Sequence, residues 1–257
     1  MIDLHTHLLP GVDDGARSLE EALALCAHAA ADGTTVAVAT PHGGGDALGG
    51  ASRPTLAEVT GWTATLQSEV DQAGISLRLV PGMEIAYEVD LLGGGEAPVT
   101  LGGSPYLLLE LPASLFPTGT PELVFRLQAA GYVPVIAHPE RNLGIMERPE
   151  ALYDLVTRGC LAQLTAMSLT GAFGPAVRAT AEALLAAGLV QVIASDAHWF
   201  PERPTGLSAA VGQAARIVGR RQAMAMVTSA PQAILAGQPV TGVKPVAPKR
   251  QRQWKFW

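Results

Sequence analysis

Ile2-Asp3-Leu4-His5-Thr6-His7 reads as a short strand that ends on two imidazoles. His5 and His7 lie two residues apart, so on a strand their side chains share one face. The same ending recurs along the chain. Thr40-Pro41-His42, Ala137-His138-Pro139 and Ser195-Asp196-Ala197-His198 each close an apolar segment with an imidazole, and Glu84 and Glu110 close two more with carboxylates. A lone His-x-His is a weak signal. Apolar strands that each deliver a ligand-type side chain at their ends point to one centre assembled from the whole chain.

Working outward, seven apolar, β-rich segments stand at 2–6, 34–39, 76–81, 106–111, 133–137, 160–165 and 190–195. Val133-Pro134-Val135-Ile136-Ala137 and Val190-Gln191-Val192-Ile193-Ala194 are near-continuous apolar runs, the pattern of strands buried on both faces in a parallel sheet. Helical stretches separate them. Ser18 with Glu21 three residues on forms a capping-box pattern that opens a helix over Leu19–Ala31. Further helices are expected over 55–72, 121–130, 149–158, 175–187, 208–218, 220–228 and 231–236. Several stop at a glycine: Gly74, Gly131, Gly159 and Gly188. Strand, loop, helix, glycine, strand is the order of an α/β fold of (β/α) barrel type, here one strand short of the common eight.

The bulk numbers narrow the class. The chain has 257 residues, 48% hydrophobic and 16% charged, enough for a sizeable core. No apolar run reaches the roughly 18–20 residues of a membrane span. The ligand-bearing strand begins at once, so a signal peptide is not expected, and two cysteines suggest no disulfide framework; the expected location is the cytoplasm. Net charge is −6, although Lys244, Lys249, Arg250, Arg252 and Lys255 sit together near the end without an acidic neighbour. The body is therefore more acidic than the total, which argues against a nucleic-acid surface.

The candidate ligands are His5, His7, Asp14, His42, Glu84, Glu110, His138, Asp196 and His198. Asp14 also suits a turn, since Asp13-Asp14-Gly15 is good turn chemistry. His28 lies mid-helix among alanines and reads as a surface or interface residue. Histidine and carboxylate without thiolate suit Mn, Fe, Zn or Mg, and nine ligands exceed the needs of one ion. Clustered divalent ions activate water at neutral pH and clamp a phosphoryl group. Arg141 and Arg203 follow two of the histidines closely, where guanidinium groups fit phosphate recognition; a salt bridge to a loop carboxylate is the alternative for each. Cysteine-based phosphatase chemistry is excluded, because it needs an Arg six positions after the Cys. Those positions hold Asp32 and Ala166.

These motifs resemble the polymerase and histidinol phosphatase (PHP) superfamily, and within it the CpsB/CapC-type metal-dependent protein-tyrosine phosphatases of bacteria. The matching stretches are Ile2–His7 with Val12–Gly15, Thr40–His42, Gly82–Ile85, Leu109–Pro112, Pro134–Arg141, Ile193–His198 and Ala230–Leu235. The resemblance implies a distorted seven-stranded TIM-like barrel with three divalent ions, Mn foremost, at its C-terminal face. His5, His7, Glu84 and Asp196 would hold the first ion, Glu84, Glu110 and His138 the second, and Asp14, His42 and His198 the third. Arg141 and Arg203 would contact phosphate. The implied substrate is phosphotyrosine in a protein, the tyrosine-rich tail of a kinase that controls capsular or exopolysaccharide export.

Two stretches depart from the family pattern. The loop after His42, Gly43–Gly50, lacks the further His or basic and aromatic residues common there. The end of the chain, with Trp254, Phe256 and Trp257 among cations, has no counterpart. We therefore divide the chain into a catalytic domain over 1–237 and a tail over 238–257. The tail's composition suits an anionic membrane surface, a neighbouring subunit of a homo-oligomer, or no partner. Two other functions fit the same ligand set: a small-molecule phosphatase of the histidinol-phosphate kind or a phosphodiesterase, and a metal-binding scaffold in polysaccharide export.

Overall fold

The computed structural model describes residues 1–44, 53–88, 91–93 and 97–248. Its strands all pair in parallel and form two sheets. β1 (Ile2–Thr6), β2 (Val36–Ala39) and β3 (Arg78–Pro81) make the first, and β4 (Glu84–Ala86), β5 (Tyr106–Glu110), β6 (Val133–Ala137), β7 (Leu161–Thr165) and β8 (Val192–Ala194) the second, each in chain order. The expected α/β class with parallel strands holds. The expected count of seven does not, because the chain changes sheets just after the third segment: β3 pairs with β2, and β4 pairs with β5. Gly82 makes the step possible. A Cβ there would stand 2.7 Å from Val38 Cγ1, so only glycine lets the chain turn this close to β2.

The ladders are thus two sheets of three and five strands, not one closed seven-stranded barrel. Single bridges join them at both seams. At one, Asp196 N donates to His5 O at 2.9 Å and His7 N to Ala197 O at 2.8 Å. At the other, Glu84 N donates to Pro41 O at 3.1 Å and Gly43 N to Glu84 O at 2.7 Å. The first seam lies where β1 and β8 end, and the second joins the stretch just beyond β2 to Glu84, the first residue of β4.

Most strands feed two cores, as their apolar runs require. Leu4, Val38, Val80, Leu108, Val135 and Val192 form an inner cluster together with Ile234. Ala39, Ile85, Leu107, Leu109, Ile136, Leu164 and Ile193 pack outward against the helices. These are α1 (Leu19–Ala31), α2 (Leu56–Gln72), α3 (Thr120–Ala129), α4 (Leu143–Glu147), α5 (Glu150–Thr157), α6 (Ala166–Thr170), α7 (Pro175–Ala186), α8 (Ser208–Val218), α9 (Arg220–Ala225) and α10 (Ser229–Leu235). The short α4 and α6 are too brief to show a helical period in the sequence. At α1 the capping box is half formed. Ser18 Oγ accepts from Glu21 N at 3.2 Å, but the Glu21 carboxylate turns to the Arg17 guanidinium and backbone instead of the Ser18 amide.

β1 contains an extra residue. Ile2 and Asp3 pair with Val36 and Ala37, yet Thr6 pairs with Ala39, one step short of strict register. Such a bulge reverses the alternation. Ile2 and Leu4 pack with the inner cluster, and beyond the bulge His5 faces that same interior, where it meets Gln163 of β7. Buried Asp3 supports the bulge: its Oδ1 accepts from Ser195 N at 2.9 Å and from His5 N at 3.4 Å.

Beyond α10 the chain runs back over the body. Tyr106 donates its hydroxyl to Gln238 O at 2.7 Å, and Val246 N donates to Ala187 O at 2.9 Å. Among the described residues no helix is long and apolar enough to cross a membrane. Most of the Gly-rich loop after His42, and the aromatic residues of the tail, lie outside the described residues.

The sheet switch is testable. Gly82→Ala should lower stability by about 1–3 kcal/mol through overpacking against Val38. Urea unfolding reads this directly, and an unchanged midpoint would contradict the close approach.

Candidate metal centre

The nine predicted ligands converge. Glu84, the first residue of β4, lies at the middle and is buried. Its Oε1 is 2.8 Å from His138 Nε2, and its Oε2 is 3.1 Å from His5 Nε2 and 3.3 Å from both His7 Nε2 and His42 Nδ1. Asp196 Oδ1 stands 3.6 Å from His5 Nε2 and 3.7 Å from His7 Nε2, and those two nitrogens are 3.1 Å apart. Donors around one tetrahedral ion at about 2.1 Å are separated by about 3.4 Å, so this set matches a coordination shell. Asp14 Oδ1 lies 3.3 Å from His42 Nε2 and 3.4 Å from His198 Nε2. Glu110 reaches His42 Nδ1 at 3.6 Å and His138 Nε2 at 3.8 Å.

Three overlapping groups of donor atoms are close enough to hold an ion: His5, His7 and Asp196; His7, Asp14, His42 and His198; and His42, Glu84 and Glu110. His7 and His42 each belong to two groups, whereas the family pattern assigns each to one.

The chemistry of the donors fits cations. Glu84 Oε2 and His42 Nδ1 are buried and have no hydrogen-bond partner. That is the situation of lone pairs aimed at a metal. Burial opposes ionisation of Asp196, but the charges of His5, His138, Arg203 and His198 outweigh it and hold the carboxyl below the usual range. For Glu110, burial and the neighbouring Glu84 charge push the carboxyl up. A divalent ion between two such carboxylates removes the repulsion.

Backbone strain is concentrated here. His138, with φ 30°, and Asp196, with φ 53°, are the non-glycine residues of positive φ among the described residues. Each turns sharply off a strand end to face the centre, a conformation that surrounding structure must sustain.

Outer partners orient the imidazoles. Asp13 Oδ2 accepts from His7 Nδ1 at 2.7 Å, Gln163 Oε1 from His5 Nδ1 at 3.0 Å, and Asp196 O from His198 Nδ1 at 3.0 Å. A proton on each Nδ1 leaves Nε2 free as the ligand atom. Gln163 and Asp13 were not singled out in the sequence. Gln163 was the more legible, as a polar residue inside the apolar run Leu161–Thr165. Glu140 is also buried in the loop after His138, and its Oε1 accepts from Thr165 N at 3.0 Å and Ser168 Oγ at 2.6 Å.

Arg141 and Arg203 stand at the edge of the centre. Both meet the second oxygen of Asp196: Arg141 Nη1 at 2.5 Å and Arg203 Nη2 at 2.8 Å from Oδ2. His28 stays apart. Half-buried on α1, it contacts Thr205 Oγ1 at 3.1 Å and the ring of Phe200.

An α/β protein whose strands and adjoining loops bring five histidines and four carboxylates to one centre has the form of a metal-dependent hydrolase. Comparison with known proteins specifies the family. The profile for "Capsular polysaccharide synthesis, CpsB/CapC" matches residues 1–236. The tyrosine-protein phosphatase YwqE of Bacillus subtilis (strain 168) is 36% identical over 200 residues, 77% of each chain. The tyrosine-protein phosphatase CpsB of Streptococcus pneumoniae is 29% identical over 245 residues, 93% of this chain and 99% of the relative. A solved structure from a study of YwqE and CpsB, described as unique metal-dependent tyrosine phosphatases, superimposes with a TM-score of 0.91 at 32% identity, covering 97% of this chain and all of the other. The chain belongs to the CpsB/CapC family.

Two predictions follow from the geometry. Glu84→Ala removes the carboxylate shared by four imidazoles, so elemental analysis of the purified variant should find much less bound metal than in the parent. The second concerns the thiols: burial pushes both Cys26 and Cys160 up to about 12, so neither should be a thiolate at neutral pH. Iodoacetamide at pH 7.5 should leave both unlabelled in the native protein, as intact mass will show.

Proposed function

We propose that this chain is a metal-dependent phosphatase that hydrolyses phosphotyrosine in proteins, in the line of its named relatives. The observation that carries the reading is the two-sided contact of Asp196. Its Oδ1 faces the imidazoles of His5 and His7, and its Oδ2 faces the guanidinium groups of Arg141 and Arg203. A ligand centre and a pair of anion-binding cations therefore share one carboxylate, the juxtaposition that phosphoryl transfer needs.

In this reading the centre would take three ions, Mn foremost and Fe, Zn or Mg as other fits. His5, His7, Glu84 and Asp196 would hold the first, Glu84, Glu110 and His138 the second, and Asp14, His42 and His198 the third. Bound there, the ions supply activation of water and neutralisation of phosphoryl charge. The chain's own residues do the rest. Asp13 and Gln163 keep the protons of His7 and His5 on Nδ1 and so hold the rings in place. Arg141 and Arg203 draw the phosphate oxygens beside the centre and stabilise their charge as the reaction proceeds. Hydrolysis joins a water oxygen to phosphorus and breaks the bond to the tyrosyl oxygen; one proton of the water ends on that oxygen, which leaves phosphate and a free tyrosine hydroxyl. Neither thiol takes part, so no covalent phosphoenzyme forms on cysteine.

We place the physiological substrate among the tyrosine-phosphorylated proteins of capsular or exopolysaccharide export, with the kinase tail as the target, in the cytoplasm. The two sheets serve as halves of one distorted barrel wall, supported by the bridges at both seams. Residues 1–237 form the catalytic domain and 238–257 the tail.

A phosphotyrosine peptide assayed beside a panel of small phosphate monoesters and diesters tests the reading. Peptide turnover should exceed that of the others, vanish on chelation and return with Mn²⁺. Arg141→Ala and Arg203→Ala should keep their metal and lose roughly 10²-fold in kcat/KM. Preference for a small monoester or a diester would overturn the substrate class, and a metal-loaded protein without turnover would point to a scaffold.

A further inference from the structure

The two arginines reach Asp196 from different parts of the chain, Arg141 from the turn after β6 and Arg203 from the loop after β8. Two guanidinium groups on one carboxylate oxygen repel each other, so something must hold them together. Phe173 lies against both. The Cζ of Arg141 is 4.9 Å from the centre of its ring, and that of Arg203 is 5.8 Å away. Arg203 also sits 5.7 Å from the ring of Trp199. An aromatic face carries negative partial charge, so it attracts each cation and offsets their mutual repulsion.

The placement of the ring is built in. Phe173 occupies the turn between α6 and α7, where Gly171 ends α6 with φ 90° and Pro175 opens α7. α6 in turn is tied to the Arg141 turn by Glu140, whose buried carboxylate accepts from Thr165 N and Ser168 Oγ at the start of α6. The ring and the first arginine therefore belong to one braced unit, and the second arginine is held against it.

We propose that Phe173 is a positioning residue for catalysis, a platform that keeps Arg141 and Arg203 aimed at the same phosphate group. The inference rests on the phosphate-binding role given to the arginines above.

A double-mutant cycle on the metal-loaded full chain tests it, with turnover of a phosphotyrosine peptide measured for Phe173→Ala, Arg203→Ala and the pair. Phe173→Leu and Phe173→Tyr run in parallel, with metal content and thermal unfolding measured for each. The expected result is a loss of about 10-fold in kcat/KM for Phe173→Ala and Phe173→Leu at unchanged metal content, with Phe173→Tyr close to the parent. In the Arg203→Ala background the loss should shrink, because one of the two cations the ring serves is already gone. Full additivity, or recovery with Leu as good as with Tyr, would overturn the platform. Should Phe173→Ala fail to fold, the Leu and Tyr pair and the Phe173→Leu/Arg203→Ala cycle carry the same decision. Unchanged kinetics in Arg203→Ala and Arg141→Ala alike would instead remove the phosphate-binding role itself. A large arginine effect with an inert Phe173 would remove the platform alone.

Discussion

A buried carboxylate surrounded by four imidazoles is the constraint on which the rest of the structure depends. Glu84 has its oxygens within 2.8–3.3 Å of nitrogens of His5, His7, His42 and His138, with almost no access to water. An ion so placed is tolerable only when its charge is matched and its lone pairs are used. The imidazoles do part of this, and a cation would complete it. Glu84 also carries a backbone seam, since its amide and carbonyl bridge to the His42 stretch of the other sheet. The site and the joint between the sheets are one feature.

Placing these side chains there required two breaks in regular strand geometry. The extra residue in β1 allows Leu4 and His5 to serve the same interior, one in the core and the other in the polar centre. Gly82 lets the chain leave the first sheet and start the second at Glu84. The strained turns at His138 and Asp196 finish the arrangement. These departures fall near the C-terminal ends of β1, β3, β6 and β8, while β5, β6 and β7 keep regular register and pack on both faces. The core holds the irregular rim in place, and the rim carries the chemistry.

Asp196 links the two halves of that chemistry. One oxygen belongs to the imidazole cluster and the other to the arginine pair, so displacement of either half is felt by both. Each arginine stands on a turn rather than on a strand, against the Asp196 carboxylate and the ring of Phe173.

Much of the fold, and the residues that meet in the polar centre, could be read in the sequence. Near-continuous apolar runs spaced by helical stretches specify parallel strands, because a strand buried on both faces has no room for alternation. Histidine and carboxylate side chains at the ends of those runs have few uses other than a shared polar centre, and the nine predicted residues do meet. Tertiary structure alone decided the rest. Strict alternation along Ile2–His7 puts Leu4 and His5 on opposite faces, and only pairing with β2 reveals the bulge that reunites them. The switch of sheets at Gly82 depends on how close Val38 comes, which no local pattern records. Gln163, Glu140 and Phe173 make contacts with residues distant along the chain, and such contacts exist only once the strands are side by side. Residue type and period are local properties and can be read in one dimension; which atom faces which across a seam is set by packing and appears only in three.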